Sequence, residues 1–337
     1  MAIAVWLAAV LCVGAMGFAI QRGGTCTVAA VDEVLNKRRP YRLLAMLEAS
    51  LWVAGGLALA QLGHLAGSMP AGYTANAWTV IGAVLLGLGA WVNRACVFGA
   101  VARLGSGEWA YAITPLGFYV GCLSVMALFP RPAENTVGSD SPLLHMANVF
   151  APLFLAFVLW RLRPALGALW GPGRAAWLRQ KIWAPHAATI VIGVSFVLTL
   201  LLAGRWAYTD VLADLALAMA GMPAMLVLPV LLLLALYAGA LIGGHTAGRW
   251  RRAPVSALQL LRCFGGGVLM GWGSLLIPGS NDGLILIGIP LLRPYAWLAF
   301  ASMVAAIAAA MLVQGAWSRR QQLRSSPAEG PPGSRQI

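Results

Sequence analysis

The chain of 337 residues is 60% hydrophobic and only 10% charged, with a formal net charge of +13. A soluble domain carries about a quarter charged residues, so this composition excludes a soluble globule and specifies an all-α polytopic membrane protein. The positive charge does not indicate nucleic acid, because the basic residues form short clusters between apolar runs, the mark of cytoplasmic loops.

A membrane span needs about 20 mostly apolar residues. Nine stretches qualify: 1–20, 42–66, 75–93, 109–130, 143–162, 185–204, 222–247, 254–276 and 295–317. The first has no basic leader and no small-residue cleavage site, so it reads as a retained span. Alternating the loops puts all 23 basic residues except Arg131, Arg205 and Arg293 on one side. That asymmetry predicts an outer N-terminus and a cytoplasmic C-terminus. Residues 1–162 and 185–317 form two membrane halves. They are joined by a basic linker, 163–184, whose Trp170, Trp177 and Trp183 suit a headgroup level. Residues 205–221, with Asp210 and Asp214, read as a short amphipathic helix on the outer surface. The tail 318–337 has no apolar periodicity and reads as disordered.

Internal similarity organises the chain. A shift of 184 residues lays Gly82, Gly87, Gly89 and Gly99 on Gly266, Gly271, Gly273 and Gly283, and Cys96 on Ser280. A third copy centres on Cys26. Gly17 precedes it as Gly271 precedes Ser280, and Arg39-Pro40-Tyr41 follows it as Arg293-Pro294-Tyr295 follows Ser280. Repeated broken helices in a membrane chain point to a substrate site, because irregular backbone must be buried or line a cavity. Each copy places a small polar residue at the start of a short helix, where free N–H groups and the helix dipole favour an anion.

The other cysteines, Cys12, Cys122 and Cys263, lie within apolar spans and read as packing residues. No CxxC pair, metal-ligand cluster or nucleophile–base pair is present, so neither a metal, a cofactor nor an enzyme active site is expected. Arg22 and Arg94 precede the two motif cysteines and read equally as an anion-attracting mouth or as topology signals. Asp282 would repel an anion if it faced a pore, and reads better as a cap for its own short helix. Glu48 lies about two turns inside a span and suits either a functional role or a pairing with a basic residue. His245, in a glycine-rich break, is a weaker pathway candidate.

The motifs Arg22-Gly-Gly-Thr-Cys26, Arg94-Ala-Cys-Val-Phe-Gly-Ala-Val-Ala-Arg-Leu-Gly105 and Leu269-Met-Gly-Trp-Gly-Ser-Leu-Leu-Ile-Pro-Gly279 resemble the YeeE/YedE family of sulphur-transport membrane proteins. The resemblance spans about residues 10–317. It implies two pseudo-symmetric halves whose re-entrant helices meet at a constriction where cysteine thiols hydrogen-bond a passing sulphur oxyanion. Cys26 and Cys96 match two of the family's pathway cysteines, and Ser280 stands where thiosulphate-transporting members have a third. A hydroxyl still donates a hydrogen bond but forms no persulphide. The implied function is import of a small sulphur-containing anion, thiosulphate or a relative, across a bacterial inner membrane. The pathway residues are Cys26, Cys96 and Ser280, with Gly24, Thr25 and Asn281 beside them and Arg22 and Arg94 at the mouth. Family analogy adds a small cytoplasmic sulphur-carrier protein as consumer. The rival readings are a membrane thiol enzyme working through Cys26 and Cys96, and a scaffold for a sulphur-metabolism partner.

Overall fold

The structure, a computed structural model, describes residues 2–65, 67, 69–128, 136–169, 180–219, 221, 227–248, 250 and 253–325. Four times the chain runs a long helix, breaks, makes a short helix, and continues into another helix. The first unit is α1 (Ala2–Gly23), α2 (Thr27–Lys37) and α3 (Tyr41–Leu62). The second is α4 (Ala77–Asn93), α5 (Val97–Gly105) and α6 (Ile113–Leu128). After α7 (Pro142–His145) and α8 (Ala147–Leu169) come α9 (Pro185–Ala203), α10 (Tyr208–Met219) and α11 (Val227–Thr246). The fourth is α12 (Ala257–Leu276), α13 (Asn281–Gly283, running into a π-turn at Leu284–Gly288) and α14 (Pro294–Ser325). Among the described residues one antiparallel pair, β1 (Gly72–Tyr73) with β2 (Thr136–Val137), closes a loop. The buried Arg293 holds that loop by donating to the carbonyls of Pro70, Gly138 and Asp140.

Apolar residues run all round these helices, so helix packing here rests on close backbone approach rather than on an amphipathic stripe. The first unit packs on the third through α1 with α9, α1 with α11, and α3 with α9. The second packs on the fourth through α4 with α12, α4 with α14, and α6 with α12. The repeated glycines sit at these crossings. A Cβ built on Gly82 would lie 2.8 Å from the Gly273 carbonyl oxygen, and one on Gly89 2.7 Å from that of Gly266. The contact is reciprocal: each glycine of α4 meets the counterpart of the other glycine. In α1 and α11 a Cβ on Gly239 would come within 1.9 Å of the Gly14 carbonyl oxygen.

Among the described residues, six helices are long and apolar enough to cross a membrane, or seven if the bent pair α12–α13 is one span. The chain is therefore a multi-pass, all-α membrane protein, and among the described residues seven of the nine stretches read from the sequence meet that length and hydropathy, counting the bent pair as one. The shortfall has local causes. The 16 residues of α6 fall below the about 20 that a straight span needs, and α8 carries Arg161 and Arg163.

Three other expectations change. Residues 208–219 are not a surface helix: Tyr208, Thr209, Val211, Leu212, Ala213 and Ala216 are buried, and α10 packs against α6. The tail is helical as far as Ser325, because α14 continues its hydrogen bonding past the last apolar turn. Residues 326–337, and Trp170 and Trp177 of the linker, lie outside the described residues. Trp183 is buried rather than interfacial, edge-on to Phe18 at 5.5 Å.

Candidate functional site

Three of the breaks share one backbone device. At the end of α1, Gly24 takes a left-handed conformation (φ 57°) and the Thr25 N–H reaches back to the Ile20 carbonyl at 3.2 Å. At the end of α4, Arg94 takes it (φ 58°) and Ala95 N–H bonds the Ala90 carbonyl at 3.1 Å. At the end of α12, Gly279 N–H bonds the Ser274 carbonyl at 2.9 Å. A backward bond spanning five residues is the closure that terminates a helix and satisfies its last carbonyls. In each case the next residue is the motif residue: Cys26, Cys96 or Ser280. Each adopts extended backbone as the N-cap of its short helix, and none caps that helix with its own side chain.

The caps are exchanged between breaks instead. The Cys96 sulphur accepts the backbone N–H of Thr27, the first residue of α2, at 3.1 Å. The Cys26 sulphur lies against Gly99, three residues past Cys96, so the two cysteines are neighbours, and both are free. Asp282 accepts the Thr209 backbone N–H at 3.3 Å and the Thr209 hydroxyl, so it caps α10 rather than its own helix. The Tyr208 hydroxyl donates to the Val97 carbonyl at 3.1 Å. The four breaks therefore meet in one buried cluster. Orphan N–H groups at a helix start need partners wherever they are dehydrated, and here a neighbouring break supplies them.

Ser280 lies in this cluster, fully buried, but its hydroxyl donates to Asp282 Oδ1 at 2.8 Å. Its one proton is thereby committed to a carboxylate, which counts against a direct bond from Ser280 to an anion. Thr27, not singled out from the sequence, joins the breaks. Fully buried, it binds Cys96 through its N–H and donates from its hydroxyl to Asn281 Oδ1 at 3.1 Å. Only its place after Cys26 hinted at this, since its partners lie 69 and 254 residues away. Gly99 presses on the site as well: a Cβ there would stand 2.5 Å from the Cys26 sulphur. Thr25 is buried, and the Gly24 carbonyl accepts from Arg42 at 3.3 Å.

The two arginines expected at the mouth separate. Arg22 is buried and structural: it donates to the Gln180 carbonyl at 2.7 Å and to the Thr246 hydroxyl at 2.9 Å, and lies over the Phe18 ring. Arg94 is exposed and, with Arg103, Arg262 and Asp32, lines a cavity of about 620 Å³. That cavity reaches Val28 and Ala29, in the turn of α2 directly after Cys26. Glu48 is paired, accepting from Arg161 at 3.0 Å, from Trp52 at 3.3 Å, and from His186. His245 is exposed beside Trp250, unlike the buried Cys26 and Cys96. Among the described residues, no group of three or more His, Cys, Asp or Glu could hold a metal.

A family model described as sulphur transport matches residues 22–309. The thiosulfate transporter TsuA of Escherichia coli (strain K12) is 26% identical over an alignment of 362 residues that covers 96% of this chain and 98% of that protein.

Proposed function

The chain belongs to the sulphur-transport family, and on that premise we propose that it imports a small sulphur oxyanion, thiosulphate or a close relative, past Cys26 and Cys96. One observation carries this reading. Two cysteines, each set at a matched helix break, are neighbours in a buried cluster next to an arginine-lined cavity. In this reading the cavity is the cytoplasmic vestibule, where Arg94 and Arg262 raise the local anion concentration. The centre is closed in the structure, with Cys96 1% exposed and Ser280 0%. Passage therefore needs a transient widening, after which thiol and backbone groups replace the anion's hydration bonds in steps.

The same reading places the protein in a bacterial inner membrane, N-terminus outside, with nine crossings in two pseudo-symmetric halves. The matched packing of the four units and the reciprocal glycine contacts of α4 and α12 support such symmetry, since a two-fold axis makes each contact occur twice. A cytoplasmic sulphur-carrier protein is the proposed consumer. Sequestration by a consumer would draw the anion inward.

The test is uptake of labelled thiosulphate into proteoliposomes. Saturable uptake in wild type, lost in Cys26→Ala and in Cys96→Ala, supports the pathway. Uptake indifferent to both substitutions would remove it. The thiol-enzyme reading is favoured by one observation, that the two cysteines are neighbours at the crossing of α2 and α5, as a disulphide or sulphur relay would also need. Trapping a Cys26–Cys96 disulphide, or a persulphide on either thiol during turnover, would favour that rival. Uptake by a protein whose thiols stay reduced throughout would favour transport.

A further inference from the structure

In the proposed route, the residue equivalent to a third thiol is Ser280, yet its proton is already donated to Asp282. Asp282 in turn holds Thr209 by two bonds. Ser280 is thus the upper member of a latch, Ser280–Asp282–Thr209, that ties the fourth unit to the third. Its neighbour is arranged differently. Asn281 is 1% exposed. Its Oδ1 accepts the Thr27 hydroxyl, while its Nδ2 is buried without a hydrogen-bond partner among the described residues. A buried amide donor left open is costly in a finished core, and such groups call for a ligand or a water. Thr27 grips the oxygen end of the amide and also supplies the N–H to Cys96, so one residue joins the amide that carries the open NH₂ to the Cys96 thiol.

We propose that Asn281, positioned by Thr27, is the third anion-binding contact of this protein, and that Ser280 is a structural latch rather than a ligand. The inference rests on the transport reading above and refines it. The donor set becomes two thiols and one amide. An amide N–H is a stronger, harder donor than a thiol and suits an oxygen of the anion, leaving the softer sulphur end of thiosulphate to Cys26 and Cys96. Thr27 acts through Asn281 as a positioning residue. The Asp282 carboxylate stays compatible with a passing anion because the latch turns it toward the N-terminus of α10.

The experiment measures initial uptake and KM for labelled thiosulphate in proteoliposomes containing wild type, Cys96→Ala, Asn281→Ala, Asn281→Asp, Ser280→Ala, Thr27→Val and Thr27→Ser. Each variant is first checked as monodisperse in detergent. Asn281→Ala should raise KM by about tenfold to a hundredfold, the range for one hydrogen bond to a charged group. Asn281→Asp, nearly isosteric, should be worse, because it sets a carboxylate where the donor was. Thr27→Val should also raise KM, with Thr27→Ser restoring it, whereas Ser280→Ala should stay within about threefold of wild type. Loss in Ser280→Ala equal to or greater than that in Asn281→Ala would overturn the proposal. So would a wild-type KM in both Asn281 variants while Cys96→Ala is dead, and that outcome would leave the transport reading standing. No saturable uptake by wild type, or uptake indifferent to Cys96→Ala, would instead remove the reading and this inference with it.

Discussion

The break at Cys96 and the break at Ser280 occupy equivalent places, 184 residues apart, with the same helix closure behind them and the same extended backbone at the cap. Their side chains nevertheless serve different ends. The Cys96 sulphur turns outward from its own helix to receive a backbone N–H from the first break. The Ser280 hydroxyl turns inward to a carboxylate two residues on, and that carboxylate secures a fourth break. A serine in place of a thiol is therefore more than the loss of a sulphur, because it comes with a different set of hydrogen bonds. The repeat preserves where the backbone bends while each copy assigns its own task to the residue at the bend.

The sharpest way to break this comparison uses the glycine that follows each motif residue by three. A Cβ on Gly99 would stand 2.5 Å from the Cys26 sulphur, whereas a Cβ on its counterpart Gly283 would meet nothing within 4 Å. Gly99→Ala should displace the Cys26 thiol and lower thiosulphate uptake by about a hundredfold, in line with the cost of misplacing a reacting or binding group by an ångström. Gly283→Ala should remain within about twofold, as overpacking penalties require a neighbour to strike. Equal losses in the two variants would mean that both breaks constrain the pathway alike.

The latch offers a second division. Asp282→Asn keeps the shape but cannot accept from the Ser280 hydroxyl, the Thr209 hydroxyl and the Thr209 N–H as a charged carboxylate does. It should cost about 1–3 kcal/mol of stability, read as a lower unfolding midpoint in detergent, with KM for the anion little changed. Arg22→Gln belongs to the same class. It removes bonds to Gln180 and Thr246, so about 1–2 kcal/mol of stability should go while KM holds. If instead either substitution shifted KM by tenfold at unchanged stability, the residue would be part of the anion's route.

Much of the architecture was legible because it depends on local pattern. Apolar runs mark helices, and glycines at repeated spacing mark crossings, as Gly82 and Gly89 do against Gly273 and Gly266. Cys26, Cys96 and Ser280 were found at breaks because each recurs at matching spacing in the internal repeat and stands at the start of a short helix. What the sequence hid depends on partners far along the chain. Residues 205–221 looked like a surface helix because Asp210 and Asp214 suggest a wet face, and nothing local shows Asp282 arriving at Thr209. Arg22 read equally as an anion-attracting mouth or a topology signal, and Gln180 and Thr246, far along the chain, close round it instead. Glu48 allowed a functional or a paired reading, and Arg161 and His186 complete the pair. Thr27 and Asn281 are ordinary polar residues in sequence, and only their mutual bond across 254 positions marks them.

The smallest expected effect tests whether the arginine cavity works through charge alone. Arg94 holds the left-handed position that Gly24 fills in the first break. A non-glycine residue there bears a steric cost of roughly 1–2 kcal/mol. Arg94→Gly therefore removes the cation and relieves the backbone at once, so stability should hold or rise slightly while the electrostatic contribution is lost. The guanidinium is exposed, and its pull on an approaching anion is screened over about 10 Å at 0.1 M salt and about 3 Å at 1 M. KM for thiosulphate presented from the cavity side should accordingly rise a few-fold in Arg94→Gly at low salt, with the difference from wild type vanishing near 1 M. A difference that persisted at high salt would mean that Arg94 touches the anion, moving the binding contacts outward from the cysteines to the cavity wall. A lower unfolding midpoint would mean that the left-handed turn relies on the arginine side chain and not only on its backbone.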